Sequence, residues 1–125
     1  MLKNNNQITS AILSDTIVEG MKNLKAKEIV SLDLTNLDAA VCDFFVICHG
    51  TSDTHVAAIS ESVIKETLDT LQEKPWNKEG LTNGNWVLLD YGNVVAHIFQ
   101  KENRDHYKLE KLWGDAKIQS FKESA

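Results

Sequence analysis

The sequence predicts an α/β (α+β) domain: a single mixed β-sheet flanked by helices, in the order α-β-β-α-β-β-β-α. Three observations carry this reading. Phe44-Phe45-Val46-Ile47-Cys48 is apolar without alternation, the pattern of a strand buried on both faces. Val56, Ile59, Val63, Ile64, Leu68 and Leu71 then recur at helical spacing. Trp86 to Phe99 holds two apolar runs around Gly92-Asn93, a pair suited to the positive φ of a tight hairpin turn.

The elements follow in order. Residues 1–7 are polar and read as a disordered tail. Ile8 to about Leu24 is a helix with Thr9 or Ser10 as cap and Ile12, Ile17, Val18 and Met21 as its stripe; Gly20 weakens it. Glu28 to Thr35 is a strand, Asn36 to Cys42 a connection, and Asp43 to His49 the strongest strand, ended by Gly50. Ser52 or Asp53 caps the long helix that runs to Glu73, and Asp53 suits its positive end. Trp76 to Lys78 is a short strand after Pro75, and Gly80 to Asn85 a loop. After the hairpin, a short helix spans roughly Lys108 to Trp113, stopped by Gly114. One domain thus covers 8–117, with 118–125 as a second tail.

The two-residue turn fixes the hairpin register. Tyr91 pairs with Val94, Leu89 with Ala96 and Val87 with Ile98 on one apolar face that reads as core. The other face carries Trp86, Leu88, Asp90, Val95, His97 and Phe99. That composition suits either a surface that meets a protein or a layer lying under a helix.

Composition narrows the function. The chain has 125 residues, 42% hydrophobic and 25% charged, as in an ordinary globular domain. Its net charge of −5 disfavours phosphate-driven binding, so little direct nucleic-acid contact is expected and a basic protein is the better partner. No apolar run approaches the roughly 20 residues of a membrane span. No secretory signal precedes the domain, so a cytoplasmic protein with reduced Cys42 and Cys48 is expected.

Enzyme chemistry is thinly represented. His49, His55, His97 and His106 make no helical zinc spacing, and the cysteines form no Cys-x-x-Cys, so no metal is expected. Cys48 and His49 are strand neighbours and point to opposite faces, which disfavours an activated thiolate. Gly50-Thr51-Ser52 opens a helix but lacks a glycine-rich cradle and a following Lys, so a cap is favoured over a phosphate site. Asp33, Asp43 and Asp90 sit in or beside strands and would bind Mg²⁺ if they converged; capping of strand ends is the favoured reading.

Several runs, in order, resemble the ribosomal silencing factor family (RsfS, also called YbeB, with mitochondrial relatives). They are Lys25-Ala26 with Ile29 and Leu32-Asp33; Asp43 to Ile47 with Gly50 and Ser52; and Glu79-Gly80. The most specific are Trp86-Val87-Leu88-Leu89-Asp90-Tyr91-Gly92 with His97 and Phe99, then Arg104, Tyr107, Leu109-Glu110 and Leu112-Trp113-Gly114-Asp115-Ala116. Asn93 and Ala96 depart from the family's frequent Asp and Val without threatening the turn.

The resemblance implies a small fold similar to that of nucleotidyltransferases, but without catalysis or cofactor. It implies binding to the large ribosomal subunit through universal ribosomal protein fourteen, which blocks subunit joining and represses translation when nutrients are scarce. The polar and aromatic members of the matched runs are the expected contact set: Trp86, Asp90, Tyr91, His97, Arg104, Tyr107, Leu109, Glu110 and Trp113. For Trp113 a core anchor beside Leu109 and Leu112 competes with that role. Assembly of the large subunit is an alternative role, and a minimal Mg²⁺-dependent nucleotidyltransferase a more distant one. The aromatic content also permits a homodimer.

Overall fold

A computed structural model describes residues 9–123. Its elements are α1 (Ser10–Asn23), β1 (Lys27–Asp33), β2 (Phe44–Gly50), α2 (Asp53–Leu71), β3 (Asn77–Glu79), β4 (Trp86–Asp90), β5 (Val94–Gln100), α3 (Lys101–Tyr107), α4 (Leu109–Leu112) and β6 (Lys117–Ser120). The six strands form one mixed sheet ordered β3-β4-β5-β2-β1-β6. Only β2 and β5 run parallel, and they lie at the centre. Both are buried almost throughout, as an unbroken apolar run requires.

Helices α1 and α2 cover one face. Thr9 caps α1, its Oγ1 accepting from the Ile12 amide at 3.1 Å, and Ser52 caps α2 by accepting from the His55 amide at 3.1 Å. His55 joins the two helices: its Nδ1 accepts from the Thr51 amide at 3.0 Å and its Nε2 donates to the Leu24 carbonyl at 2.7 Å. Leu13, Ile17, Met21, Ile59 and Val63 pack onto Val46, Ala96 and Ile98 of the sheet. Each fully buried Ile or Val of this kind is worth about 1.5–3 kcal/mol. Gly20 weakens α1 by propensity, yet it is where the helices cross. A Cβ there would lie 2.7 Å from Val63 Cα, and Ser62 Oγ donates to the Gly20 carbonyl at 2.7 Å.

The hairpin takes the expected register, with Val87 opposite Ile98 and Leu89 opposite Ala96. Its turn uses positive φ only at Gly92, at +89°, and the Tyr91 amide donates to the Val94 carbonyl at 2.9 Å across it. Asn93 keeps ordinary backbone because it is engaged elsewhere. Its carbonyl accepts from the Asp43 amide at 2.8 Å, and its side chain donates to Ser10 Oγ at 2.8 Å.

Two expectations need correction, and one pair of open alternatives narrows. The closing helix is two helices, α3 and α4, broken at Lys108 with φ +50°. Lys101 to Tyr107 carries no apolar stripe, so periodicity could not find α3. The tail placed at 118–125 begins inside β6, which pairs antiparallel with β1. All four β6 residues are exposed, so backbone pairing alone defines that strand. The mixed face of the hairpin is largely roofed by the chain itself: Val95, His97 and Phe99 are buried there. Val95 and Phe99 join a second cluster with Leu32, Leu34, Phe45, Ile47 and Leu109, and His97 lies against its Phe45. The tail assigned to 1–7 lies outside the described residues.

Candidate functional site

The second face of the sheet is built from rings. Trp86 of β4 stacks on Phe99 of β5, with centroids 4.8 Å apart, and meets Tyr107 of α3 at a tilt, with centroids 4.7 Å apart. Phe45 of β2 meets His97 edge to face at 4.6 Å and Trp113 at 5.9 Å. The Trp86 indole Nε1 donates to His97 Nδ1 at 3.1 Å. Nδ1 therefore carries no proton, and the neutral ring holds its hydrogen on Nε2. That nitrogen is buried without a partner. His97 is 4% exposed, and burial pushes its pKa down to about 4. At neutral pH it is an uncharged anchor for Trp86.

The outer layer of this face is open. Leu112 is 74% exposed and Tyr107 46%, while Trp86, Leu88 and Trp113 are half-buried. Leu112 and Trp113 also border a cleft of about 450 Å³ against Leu37 and Ala39, with Asp38 and Asp115 at its rim. Half-buried Trp and Tyr over a packed aromatic floor, with acids around them, fit the pattern of a protein-binding hot spot.

The residues expected to form the site divide into three groups. Trp86, His97, Tyr107, Leu109 and Trp113 meet on the second face, with Leu109 buried beneath it. Trp113 is anchored on one side, edge to face with Phe45, and is half-buried. Arg104 and Glu110 pair with each other at the α3–α4 corner, Nη2 to Oε2 at 2.8 Å. Asp90 and Tyr91 hold the hairpin turn. Asp90 Oδ1 accepts from the Gly92 amide at 2.7 Å, and the Tyr91 hydroxyl pairs with Thr67 Oγ1 at 2.9 Å in the α2-side core. Burial raises the Tyr91 pKa to about 12.

Leu88 and Leu112 complete the surface above the buried Phe45, and none of the three was in the expected contact set. Leu112 follows Leu109 at helical spacing and reads as the same stripe. In a helix of four residues, Leu109 takes the buried side and Leu112 stays outside.

The other chemical readings meet concrete geometry. Asp33 accepts from the Thr35 hydroxyl and amide, which holds its carboxyl below the usual value. Asp43 accepts from Ser10 Oγ and Asp90 from its own turn, so the three carboxylates serve local backbone and side chains. Among the described residues, no three His, Cys, Asp or Glu side chains are grouped to hold a metal. Cys48 lies in the α2-side core, where burial raises its thiol pKa strongly, and burial raises Cys42 to about 11. No helix among the described residues is long and apolar enough to cross a membrane.

Comparison with known proteins fits this geometry. The model of the family "ribosomal silencing factor during starvation" matches residues 7–125. The ribosomal silencing factor RsfS of Bacillus subtilis is 44% identical over 94 residues, 75% of this chain and 78% of its own. A mouse protein named for mitochondrial assembly of the ribosomal large subunit is 31% identical over 101 residues, 79% of this chain but 44% of its own. A crystal structure from Chromobacterium violaceum superposes with a TM-score of 0.80 at 30% identity, covering 94% of this chain and 97% of its own. With the family model matching nearly the whole chain, the chain belongs to the ribosomal silencing factor family.

Proposed function

We propose that this protein binds the large ribosomal subunit through universal ribosomal protein fourteen and blocks joining of the small subunit, repressing translation under nutrient limitation. The observation that carries the reading is the half-open aromatic face: Trp86, Tyr107 and Trp113 on a rigid floor, with Leu112 projecting beside them. Of the expected contact set, Trp86, Tyr107 and Trp113 touch the partner. His97 and Leu109 support them from below, Arg104 and Glu110 hold the corner, and Asp90 and Tyr91 shape the hairpin. The net charge of −5 favours encounter with a basic ribosomal protein. The protein acts in the cytoplasm, where its target is, and needs no cofactor and no catalytic group.

The name of the mouse relative favours a second reading, assembly of the large subunit without blockade. One experiment separates them: co-sedimentation with purified subunits together with a subunit-reassociation assay. Pelleting with large subunits only, with fewer joined ribosomes, supports blockade. Large-subunit binding with normal joining supports the assembly role. Binding to neither subunit overturns both.

A further inference from the structure

Arg104 is a buried cation on a helix that has nothing else to bury. It is 7% exposed and the only buried residue of α3. Its Nε and Nη2 donate to Glu110 Oε2 at 3.2 and 2.8 Å. Its Nη1 donates to His49 Nδ1 at 3.0 Å and lies 3.4 Å from the Lys27 carbonyl. One planar fork thus joins β1, β2, α3 and α4. Helices of seven and four residues cannot persist in water on their own. Of α4, only Leu109 is buried. The corner that carries Tyr107, Leu112 and Trp113 is therefore held by the guanidinium more than by an apolar seam.

We propose that Arg104 is a positioning residue for docking: it fixes the α3–α4 corner so that Tyr107, Leu112 and Trp113 face the partner, and His49 makes that lock responsive to pH. This rests on the docking reading above. Arg104 does not itself reach the partner, because its guanidinium is spent on three groups inside the chain.

The pH response follows from donor and acceptor roles. Arg104 has only donors, so His49 Nδ1 must accept and the ring must be neutral. Protonation removes that acceptor and sets a second cation 3.0 Å from the first. Around His49 stand Arg104, Lys101 and Asp105 of α3, and Glu28 of β1 with Oε2 at 3.9 Å from Nε2. Glu110, Lys108 and Lys111 line the same cleft of about 390 Å³, and the Glu123 carboxylate reaches the Glu28 amide at 3.1 Å. Burial first, then Arg104, holds His49 below its ordinary value of 6.5. The lock is therefore closed at pH 7.5, and it opens only under acid strong enough to protonate a ring whose pKa is held below its ordinary value.

The test uses the intact protein, amide NMR of residues 101–113 with the Trp113 indole, and affinity for purified large subunits. In Arg104→Gln the corner amides lose protection while those of α1 and α2 keep theirs, and affinity falls roughly tenfold or more as the competent population drops. Arg104→Lys keeps the charge but not the fork and does not rescue. The wild-type corner loosens as pH is stepped down from 7.5 until His49 takes up its proton; in His49→Gln, which cannot gain a proton, it does not. Unchanged affinity in Arg104→Gln overturns the proposal, as does lost affinity with an unchanged corner, which would mean direct contact. An identical pH response in His49→Gln overturns the switch. If Arg104→Gln fails to fold, Glu110→Gln decides by the same two readouts. If the wild type ignores large subunits, the docking reading fails, while the corner amides still report whether Arg104 holds α3 and α4.

Discussion

The two faces of the sheet are packed by different chemistry. On the α1–α2 side, aliphatic chains close around Ile17, Ile59 and Val63, and the helices approach until only Gly20 fits between them. On the α3–α4 side, the filling is Phe45, Trp86, His97, Phe99 and Trp113, and the covering helices are held by a buried arginine. Among the described residues, no buried side-chain nitrogen or oxygen on the first face lacks a partner, whereas the second keeps His97 Nε2 unpaired and leaves Leu112 in solvent. On the proposed docking reading, the closed side supplies packing and the half-open side supplies the contact. A polypeptide that must present rings to a partner cannot also bury them fully.

Breaking the aliphatic side gives the largest effect. Ile59→Ala removes a fully buried side chain from a seam closed by two helices and the sheet. A loss of about 2–5 kcal/mol is expected. Denaturant titration checks it, and the protein that remains folded should still pellet with large subunits. If binding is lost in proportion to nothing but this mutation, the separation of the two faces fails.

Acid should act on the ring side. Well above pH 6.5, His97 is neutral in both the folded and the unfolded chain and adds no pH dependence. Between pH 6.5 and about 4, the unfolded chain takes up a proton that the folded one refuses, so stability falls as pH drops. The full difference is about 3 kcal/mol, spread over that interval. Melts at stepped pH check the slope. His97→Asn should flatten it, and an unchanged slope would mean that the acid loss arises elsewhere.

Leu112→Ser sharpens the contrast from the other direction. The residue touches little in the free protein, so stability should move by no more than about 0.5 kcal/mol. Affinity for large subunits should drop by about 1–2 kcal/mol, close to tenfold, if Leu112 borders the contact. A tight complex with unchanged affinity would move the contact away from the α4 rim.

The same contrast explains what could be read in the sequence. The α1–α2 side was written in period: apolar stripes, a capped helix after Gly50, and an alternating hairpin whose register follows from its turn. The pairing of β2 with β5 was not, because two strands buried on both faces carry no mark of their neighbour. Neither α3 nor β6 was visible, since one is held by Arg104 and the other by backbone bonds. Ring residues such as Trp86 and Trp113 stood out by type. Whether each is floor or surface depends on what packs above it, and that is a property of α3 and α4, the elements the pattern missed.

Tyr91 tests whether residue type or burial decides function. It lies in the run Trp86 to Gly92 and is aromatic, yet the strand turns it toward α2 and away from Trp86. Its hydroxyl pairs with Thr67 Oγ1 at 2.9 Å. Tyr91→Phe removes that bond without opening a large cavity. Thr67 Oγ1 still donates to the Ile64 carbonyl at 3.2 Å, so no donor is orphaned. The expected loss is about 1 kcal/mol in a thermal melt, with large-subunit affinity unchanged. The comparison with Leu112→Ser is then direct. An aromatic signature residue on the closed face would alter melting and not binding, and an aliphatic one on the open face would do the reverse. Lost affinity in Tyr91→Phe would show that the hairpin turn is coupled to the docking face through the strands, and the division between the two sides would have to be redrawn along β4 instead of across the sheet.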